Sequence, residues 1–131
     1  MKRLTLTLDC RVISKKNSKR VMRSKTTRKS VVLPSVAYQR FRDEAVMLLR
    51  SQINRAGAGH ALPFTGQVRV DTHFHIKGKY NVDADNLHTS ILDVLQDAGV
   101  IENDSLVVEG GYTKSGNAQD WYTLIHVTAL E

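Results

Sequence analysis

Residues 67 to 77 alternate cleanly between apolar and polar side chains. A period of two residues places successive side chains on opposite faces of a strand. The apolar set is Val68, Val70, Thr72, Phe74 and Ile76, and the polar set is Gln67, Arg69, Asp71, His73, His75 and Lys77. This pattern predicts a strand with one buried face and one face toward solvent or a ligand.

Two other segments have the three- and four-residue spacing of amphipathic helices. The first begins after Ser35, a favourable N-cap residue, and continues to about Gln52. The second runs from Asn86 to Ala98 and ends at Gly99. Further strands are predicted at 3–13, 105–109 and 120–130, with a turn at 110–118. The order β-α-β-α-β-β predicts a single-domain α+β fold, a mixed β-sheet with two main helices.

Positive charge is concentrated in one part of the chain. At 131 residues the chain is long enough for one ordinary domain, and its 19 Lys and Arg exceed its 13 Asp and Glu. Nine of the basic residues lie between Arg11 and Lys29, where there is no acid. Such an excess indicates a polyanionic partner such as DNA, although a solubilising surface would also produce it. We predict a mobile basic loop at 14–33, with DNA contacts at Lys15, Lys16, Asn17, Lys19 and Arg20.

Cysteine content and hydropathy indicate the cellular compartment in which the protein is expected. No apolar run approaches the ~20 residues of a membrane-spanning helix, and the first ten residues lack the apolar core of a secretory signal. Cys10 is the only cysteine, which excludes a disulfide within the chain and a CxxC metal site. We therefore expect a cytoplasmic protein with no membrane partner.

Asp83 and Asp85 flank one small residue just before the second helix. On extended backbone the side chains at i and i+2 point the same way, with Cα atoms roughly 7 Å apart. Two carboxylates so placed repel each other unless a cation lies between them. Mg²⁺ suits this arrangement because it binds through one or two carboxylates and keeps positions for water and phosphate. The alternative is helix capping, since Asp is common at helix N-termini.

Asp104 is the candidate third ligand. The second helix is about 20 Å long, and residues 99–104 span about 20 Å when fully extended. Asp104 therefore reaches the start of that helix only if the segment runs straight back along it; otherwise it meets the acid pair of a second chain. The alternative is an Asn-Asp turn before a strand. Acids combined with a basic patch are what metal-dependent phosphodiester hydrolysis requires.

The motif Asp83-Ala-Asp85-Asn86-Leu87, followed by SILDVLQDAGVI and Asn103-Asp104, resembles the RusA family of Holliday-junction resolvases of phages and prophages. The segments KKNSKRV and LPSVAYQRF are also similar to that family. The resemblance implies a Mg²⁺-dependent endodeoxyribonuclease, with Mn²⁺ as a substitute and no small-molecule cofactor. It implies that the catalytic and metal-binding carboxylates are Asp83, Asp85 and Asp104.

The resemblance further implies a homodimer that nicks four-way DNA junctions, leaving a 5′-phosphate and a 3′-hydroxyl. Two symmetric nicks in opposing strands require two active sites, which a two-fold dimer provides. Thr89 departs from the family pattern, since members often have lysine there, and Asn103 stands where some have an acid. Cleavage rate or metal affinity is expected to differ as a result.

The remaining polar and aromatic residues have simpler interpretations. Lys77 and Lys79 are expected to contact the scissile strand, and His88 to contact phosphate. The polar-face residues Asp93 and Asp97 are expected to be solvated. The strand pattern around Trp121 and Tyr122 favours core packing over base stacking.

Two other functions fit the same residues. One is a DNA-binding accessory protein without nuclease activity, in which the acids serve as helix caps. The other is a metal-dependent nuclease directed at flaps or single strands.

Overall fold

The computed structural model describes residues 2–15, 19–23, 30–78 and 82–130. The strands are β1 (Arg3–Leu8), β2 (Lys19–Arg23), β3 (Ser30–Pro34), β4 (Val68–Lys77), β5 (Val107–Ala118) and β6 (Tyr122–Ala129). The helices are α1 (Val36–Ala56) and α2 (Ala84–Asp97), with single 3₁₀ turns at Gly59–Ala61 and Asp104–Leu106. Within these ranges, no helix is both long and apolar enough to cross a membrane.

Strand β4 lies inside a four-stranded sheet of order β1-β6-β4-β5. It pairs antiparallel with β6 and parallel with β5, and β6 pairs antiparallel with β1. The sheet is therefore mixed, as the sequence predicts, and with two helices it confirms the α+β fold class. The parallel β4–β5 pair requires a crossover connection, which α2 provides.

The alternation in β4 separates a buried face from an accessible one. All five alternate residues from Val68 to Ile76 are buried, and the core also includes alternate residues of the neighbouring strands, Thr123, Ile125 and Val127 on β6 and Leu4, Leu6 and Leu8 on β1. Both helices contribute apolar residues to the same core, including Leu49 on α1 and Ile91 on α2. The polar side chains of β4, which include His73 and His75, lie on the opposite face.

Helix α1 begins where the sequence predicts and also covers one edge of the sheet. The Ser35 hydroxyl accepts a hydrogen bond from the Tyr38 backbone N–H (3.0 Å), which confirms Ser35 as the N-cap. Gln52 on α1 accepts from the Thr7 N–H (2.9 Å) and donates to the Thr7 carbonyl (2.7 Å). These two bonds satisfy backbone groups of the edge strand β1 that would otherwise be open to strand pairing.

The strand predicted at 3–13 ends at Leu8, and two other segments differ from the sequence expectation. The composition of 14–33 predicts a loop throughout, but β2 and β3 within it form a two-stranded antiparallel sheet. The expected turn at 110–118 is instead part of β5, which pairs along β4. In both segments the pairing between strands outweighs a local composition rich in Lys, Ser or Gly.

Gly110 allows β5 to lie close to β4. One residue is inserted at this point, because Val68 faces Val107 whereas Arg69 faces Glu109. Gly110 has φ +120°, and a Cβ placed there would lie 1.9 Å from the Val70 carbonyl oxygen. Only glycine fits this bulge without displacing backbone.

We predict that Gly110→Ala lowers the free energy of unfolding by about 3 kcal/mol, because both the backbone angle and the contact with Val70 become unfavourable. Gly111→Ala is the matched control, since a Cβ at Gly111 would meet nothing within 4 Å. Urea denaturation measures both variants. Equal stabilities would contradict the close approach at Gly110.

Candidate active site

The acid pair lies at the N-terminus of α2. Asp83 is the N-cap: its Oδ1 accepts from the Asp85 backbone N–H (3.1 Å) and its Oδ2 accepts from the Asn86 side-chain amide (3.1 Å). Both carboxylates are exposed, whereas Asn86 is buried. The cap fixes the position of Asp83, and each carboxylate oxygen has a second lone pair for another donor or a cation. Capping and metal binding are therefore compatible at this residue.

Asp104 lies beside the opposite end of α2. Its backbone N–H donates to the Gln96 side-chain carbonyl (2.9 Å). Gln96 is 11 residues after Asp85 in the sequence, a rise of about 16 Å along the helix axis. The chain does not run straight back along α2, because the Glu102 N–H donates to the Phe64 carbonyl (3.0 Å). Asn103 caps a single 3₁₀ turn at this point, which is the turn that the alternative interpretation expects.

A single chain does not bring the three acids together. In the described ranges, no group of three or more His, Cys, Asp or Glu residues is arranged to hold a metal ion. One chain offers two carboxylates at the start of α2 and one near its end. The oxygen donors suit Mg²⁺ or Mn²⁺, but the described residues of one chain do not form a three-carboxylate site.

His88 lies one turn into α2 and connects it to the sheet. Its Nδ1 and the buried Thr72 hydroxyl share a hydrogen bond of 2.7 Å, and its ring centroid is 5.6 Å from that of Tyr112. Burial lowers the pKa of His88 below its ordinary value, although the Asp85 carboxylate acts in the opposite direction. This shift favours the neutral imidazole, and the expected contact of His88 with phosphate stays a prediction.

Thr89 does not place a cation next to the acid pair. Its hydroxyl donates to the Asp85 backbone carbonyl (3.1 Å), so the side chain lies against its own helix. A separate cation supports the segment before the pair: Lys114 on β5 donates through Nζ to the Val82 carbonyl (2.9 Å). The sequence does not single out Lys114, because its position follows from the β4–β5 pairing.

Lys15, the first of the predicted DNA contacts, lies against both helices. Its backbone N–H donates to the Ser90 hydroxyl (3.1 Å), and its Nζ is 3.6 Å from Asp93 Oδ2. The same Asp93 carboxylate accepts a hydrogen bond from the buried Tyr38 hydroxyl. The helix pattern predicts that Asp93 is solvated, and this expectation is wrong. Asp93 holds the start of the basic segment on α1 and α2.

The other predicted DNA contacts are described only in part. Lys19 and Arg20 begin β2, where their backbones pair with Pro34 and Leu33. Lys77 is exposed at the end of β4. Lys16, Asn17 and Lys79 lie outside the described residues.

The exposed acid pair at the N-terminus of α2 and the contact of Lys15 with the same helix combine the two kinds of charge that hydrolysis of a nucleic-acid backbone requires. The family model described as Endodeoxyribonuclease RusA matches residues 10–126, and the chain belongs to this family. The family expected from the DxDN motif is thereby confirmed, and membership indicates endodeoxyribonuclease activity on DNA junctions. No curated protein matches the chain.

We predict that the helix-capping role of Asp83 can be separated from the role of its negative charge. Asp83→Ala is expected to lower the free energy of unfolding by about 1 kcal/mol, because the Asp85 N–H loses its acceptor. Asp83→Asn is expected to leave stability nearly unchanged, because Asn is an equally good N-cap. Thermal and urea denaturation measure both, and an alanine variant as stable as the parent would contradict the capping role.

Proposed function

We propose that this protein is a homodimeric, Mg²⁺-dependent endodeoxyribonuclease that resolves four-way DNA junctions by paired nicks. The observation that carries the proposal is the exposed Asp83–Asp85 pair, fixed at the N-terminus of α2 in a chain of the RusA family. Mn²⁺ is expected to substitute for Mg²⁺, and no small-molecule cofactor is required.

Asp83 and Asp85 would hold the metal ion together with Asp104. All three supply carboxylate oxygens, the ligands that Mg²⁺ prefers, and all three residues are exposed to solvent. When bound, the ion supplies an activated water and stabilises charge on the phosphate and on the leaving 3′ oxygen. The cleaved strand keeps a 3′-hydroxyl on one side and a 5′-phosphate on the other.

The separation of Asp104 from the acid pair supports a site shared between two copies. A two-fold dimer is isologous, so any contact from Asp104 of one copy to the acid pair of the other is made twice. Two equivalent sites result, which matches the two nicks that junction resolution requires. Dimerisation and metal binding would then depend on each other.

Charge elsewhere on the chain supports binding to the DNA backbone. Lys15 docks within one helical turn of His88 on α2, so the basic segment that follows starts close to the acid pair. Lys77 lies at the end of β4, a few residues before Asp83. These cations would hold phosphates on either side of the scissile bond.

Single substitutions of the acids test the proposed metal site. Asp83→Asn, Asp85→Asn and Asp104→Asn are each expected to reduce junction cleavage in Mg²⁺ at least about 100-fold, equivalent to about 2.7 kcal/mol. Junction binding in Ca²⁺ should persist, because no phosphate-binding cation is removed. Glu102→Gln is the matched control: an exposed acid near Asp104 that lies outside the proposed site.

Mixed dimers of the same variants test the sharing of the site. A dimer of one Asp104→Asn copy with one copy carrying both Asp83→Asn and Asp85→Asn has one intact site only if each site takes residues from both copies. Recovery of single-strand nicking therefore supports the shared site, and no recovery contradicts it. Labelled junction, flap and linear duplex should be assayed in parallel, since cleavage of flaps alone would refute junction resolution.

Salt dependence tests the basic segment. Combined replacement of Lys16, Lys19 and Arg20 by alanine is expected to reduce the log–log slope of junction binding by about 0.9 for each phosphate that is no longer neutralised. Replacement of Lys15 should have a smaller effect, because Asp93 lies 3.6 Å from its ammonium group. Exchange of Arg40 and Arg55, exposed on α1, for alanine is the control for a general decrease in positive charge. An unchanged slope in the triple variant would assign DNA binding to another surface.

A further inference from the structure

A cavity of about 440 Å³ opens where β1 and β4 end and β6 begins. Its walls include two aromatic residues, Trp121 and Tyr122, and two cations, Arg11 and Lys77. We propose that this cavity binds an unpaired nucleobase of the bound DNA, stacked on these aromatic rings. The proposal rests on the proposed function, because it assumes that DNA is the ligand.

The two aromatic residues are not fully buried in the core. Tyr122 is 38% exposed although it begins a central strand, and its ring centroid is 5.7 Å from that of His75 on the accessible face of the sheet. Trp121 packs partly against the core, and the Arg11 guanidinium lies 5.1 Å from its ring centroid. The expectation of core packing is therefore wrong for Tyr122 and only partly right for Trp121. Aromatic rings bordered by cations are the usual platform for unpaired bases.

The charges in the cavity favour a base over a phosphate. Two carboxylates, Asp9 and Asp120, line it together with Arg11 and Lys77. A phosphate group would meet repulsion from both acids. A nucleobase presents donors and acceptors on one edge, so carboxylates can accept from its ring N–H or amino group while the Arg11 guanidinium donates to its carbonyl oxygen or ring nitrogen. The cavity volume falls in the range of roughly 300–1,000 Å³ typical of small-molecule sites.

The cavity lies at the same end of the sheet as the acid pair. Helix α2 runs back along β4, because Val82 before the helix contacts Lys114, the register partner of Phe74, whereas His88 contacts Thr72. Asp83 and Asp85 are therefore at the end where β4 stops, and Asp83 follows Lys77 of the cavity wall by six residues. A strand held at the acid pair would present nearby bases to the cavity. Continuous duplex keeps its bases stacked, whereas bases at a junction crossover are more easily extruded.

Trp121 provides a direct test, because it is the only tryptophan in the chain. The protein is titrated in EDTA with a four-way junction carrying one unpaired thymine at the crossover, and with the same junction carrying an abasic residue there. We expect saturable quenching of Trp121 fluorescence by the first junction only, and an affinity roughly tenfold higher than for the abasic one. Equal affinities without base-dependent quenching would overturn the proposal.

Variants separate stacking from structural damage. Trp121→Phe should retain most of the preference for the base, whereas Trp121→Leu and Tyr122→Leu should each lose it. Arg55→Gln, an exposed charge change on α1, should leave the preference unchanged. A change of Trp121 fluorescence with protein concentration in the absence of DNA would assign the cavity to a second copy of the chain and overturn the proposal.

These measurements do not depend on DNA cleavage. The nucleobase cavity and the nuclease function can therefore be contradicted independently of each other. Base-dependent quenching in a protein that cuts no junction in Mg²⁺ would refute the nuclease proposal alone. Metal-dependent junction cleavage without base-dependent quenching would refute the nucleobase cavity alone.

Discussion

The hydrogen-bonded pairing of β4 with strands on both sides is the constraint on which the rest of the structure depends. Its buried residues form the centre of the core, and only one of them, Thr72, is polar. The Thr72 hydroxyl is paired with His88, so burial of this group is compensated and α2 is tied to the sheet one turn from Asp85. Because β4 cannot shift its register, the start of α2 is fixed relative to the sheet. The position of the acid pair is fixed with it.

The same packing separates the acids within one chain. Helix α2 is held against the sheet by buried residues along its length, and Asp104 is held near its C-terminal end through Gln96. Bringing Asp104 to Asp83 in one chain would break this bond and the backbone pairing of Glu102 with Phe64. The contacts that stabilise one chain therefore hold Asp104 away from Asp83, which is why the proposed three-carboxylate site takes Asp104 from a second copy.

Local patterns in the sequence were sufficient for the elements whose side chains repeat. The alternation in β4, the N-cap Ser35 and the helical spacing of α2 all correspond to the structure, because each depends on residues close together in the chain. The pairing of β2 with β3, the extension of β5 through 110–118 and the contact of Asp93 with Tyr38 depend on residues distant in sequence. That Asp83 and Asp85 lie next to each other at the start of α2 could be predicted from their spacing. The position of Asp104 relative to them could be determined only from the fold.

The acids of α2 divide into two groups with different surroundings. Asp93 and Asp97, in its second half, contact Tyr38 and Arg42 on α1, and Asp93 also faces Lys15. These contacts join the two helices and hold the start of the basic segment. Asp83 and Asp85, at the opposite end, are exposed and lie in the positive field of the helix N-terminus. One helix thus carries the exposed acid pair at its start and holds the first residue of the basic segment beside its middle turns, so both kinds of charge in the proposed site are positioned by α2.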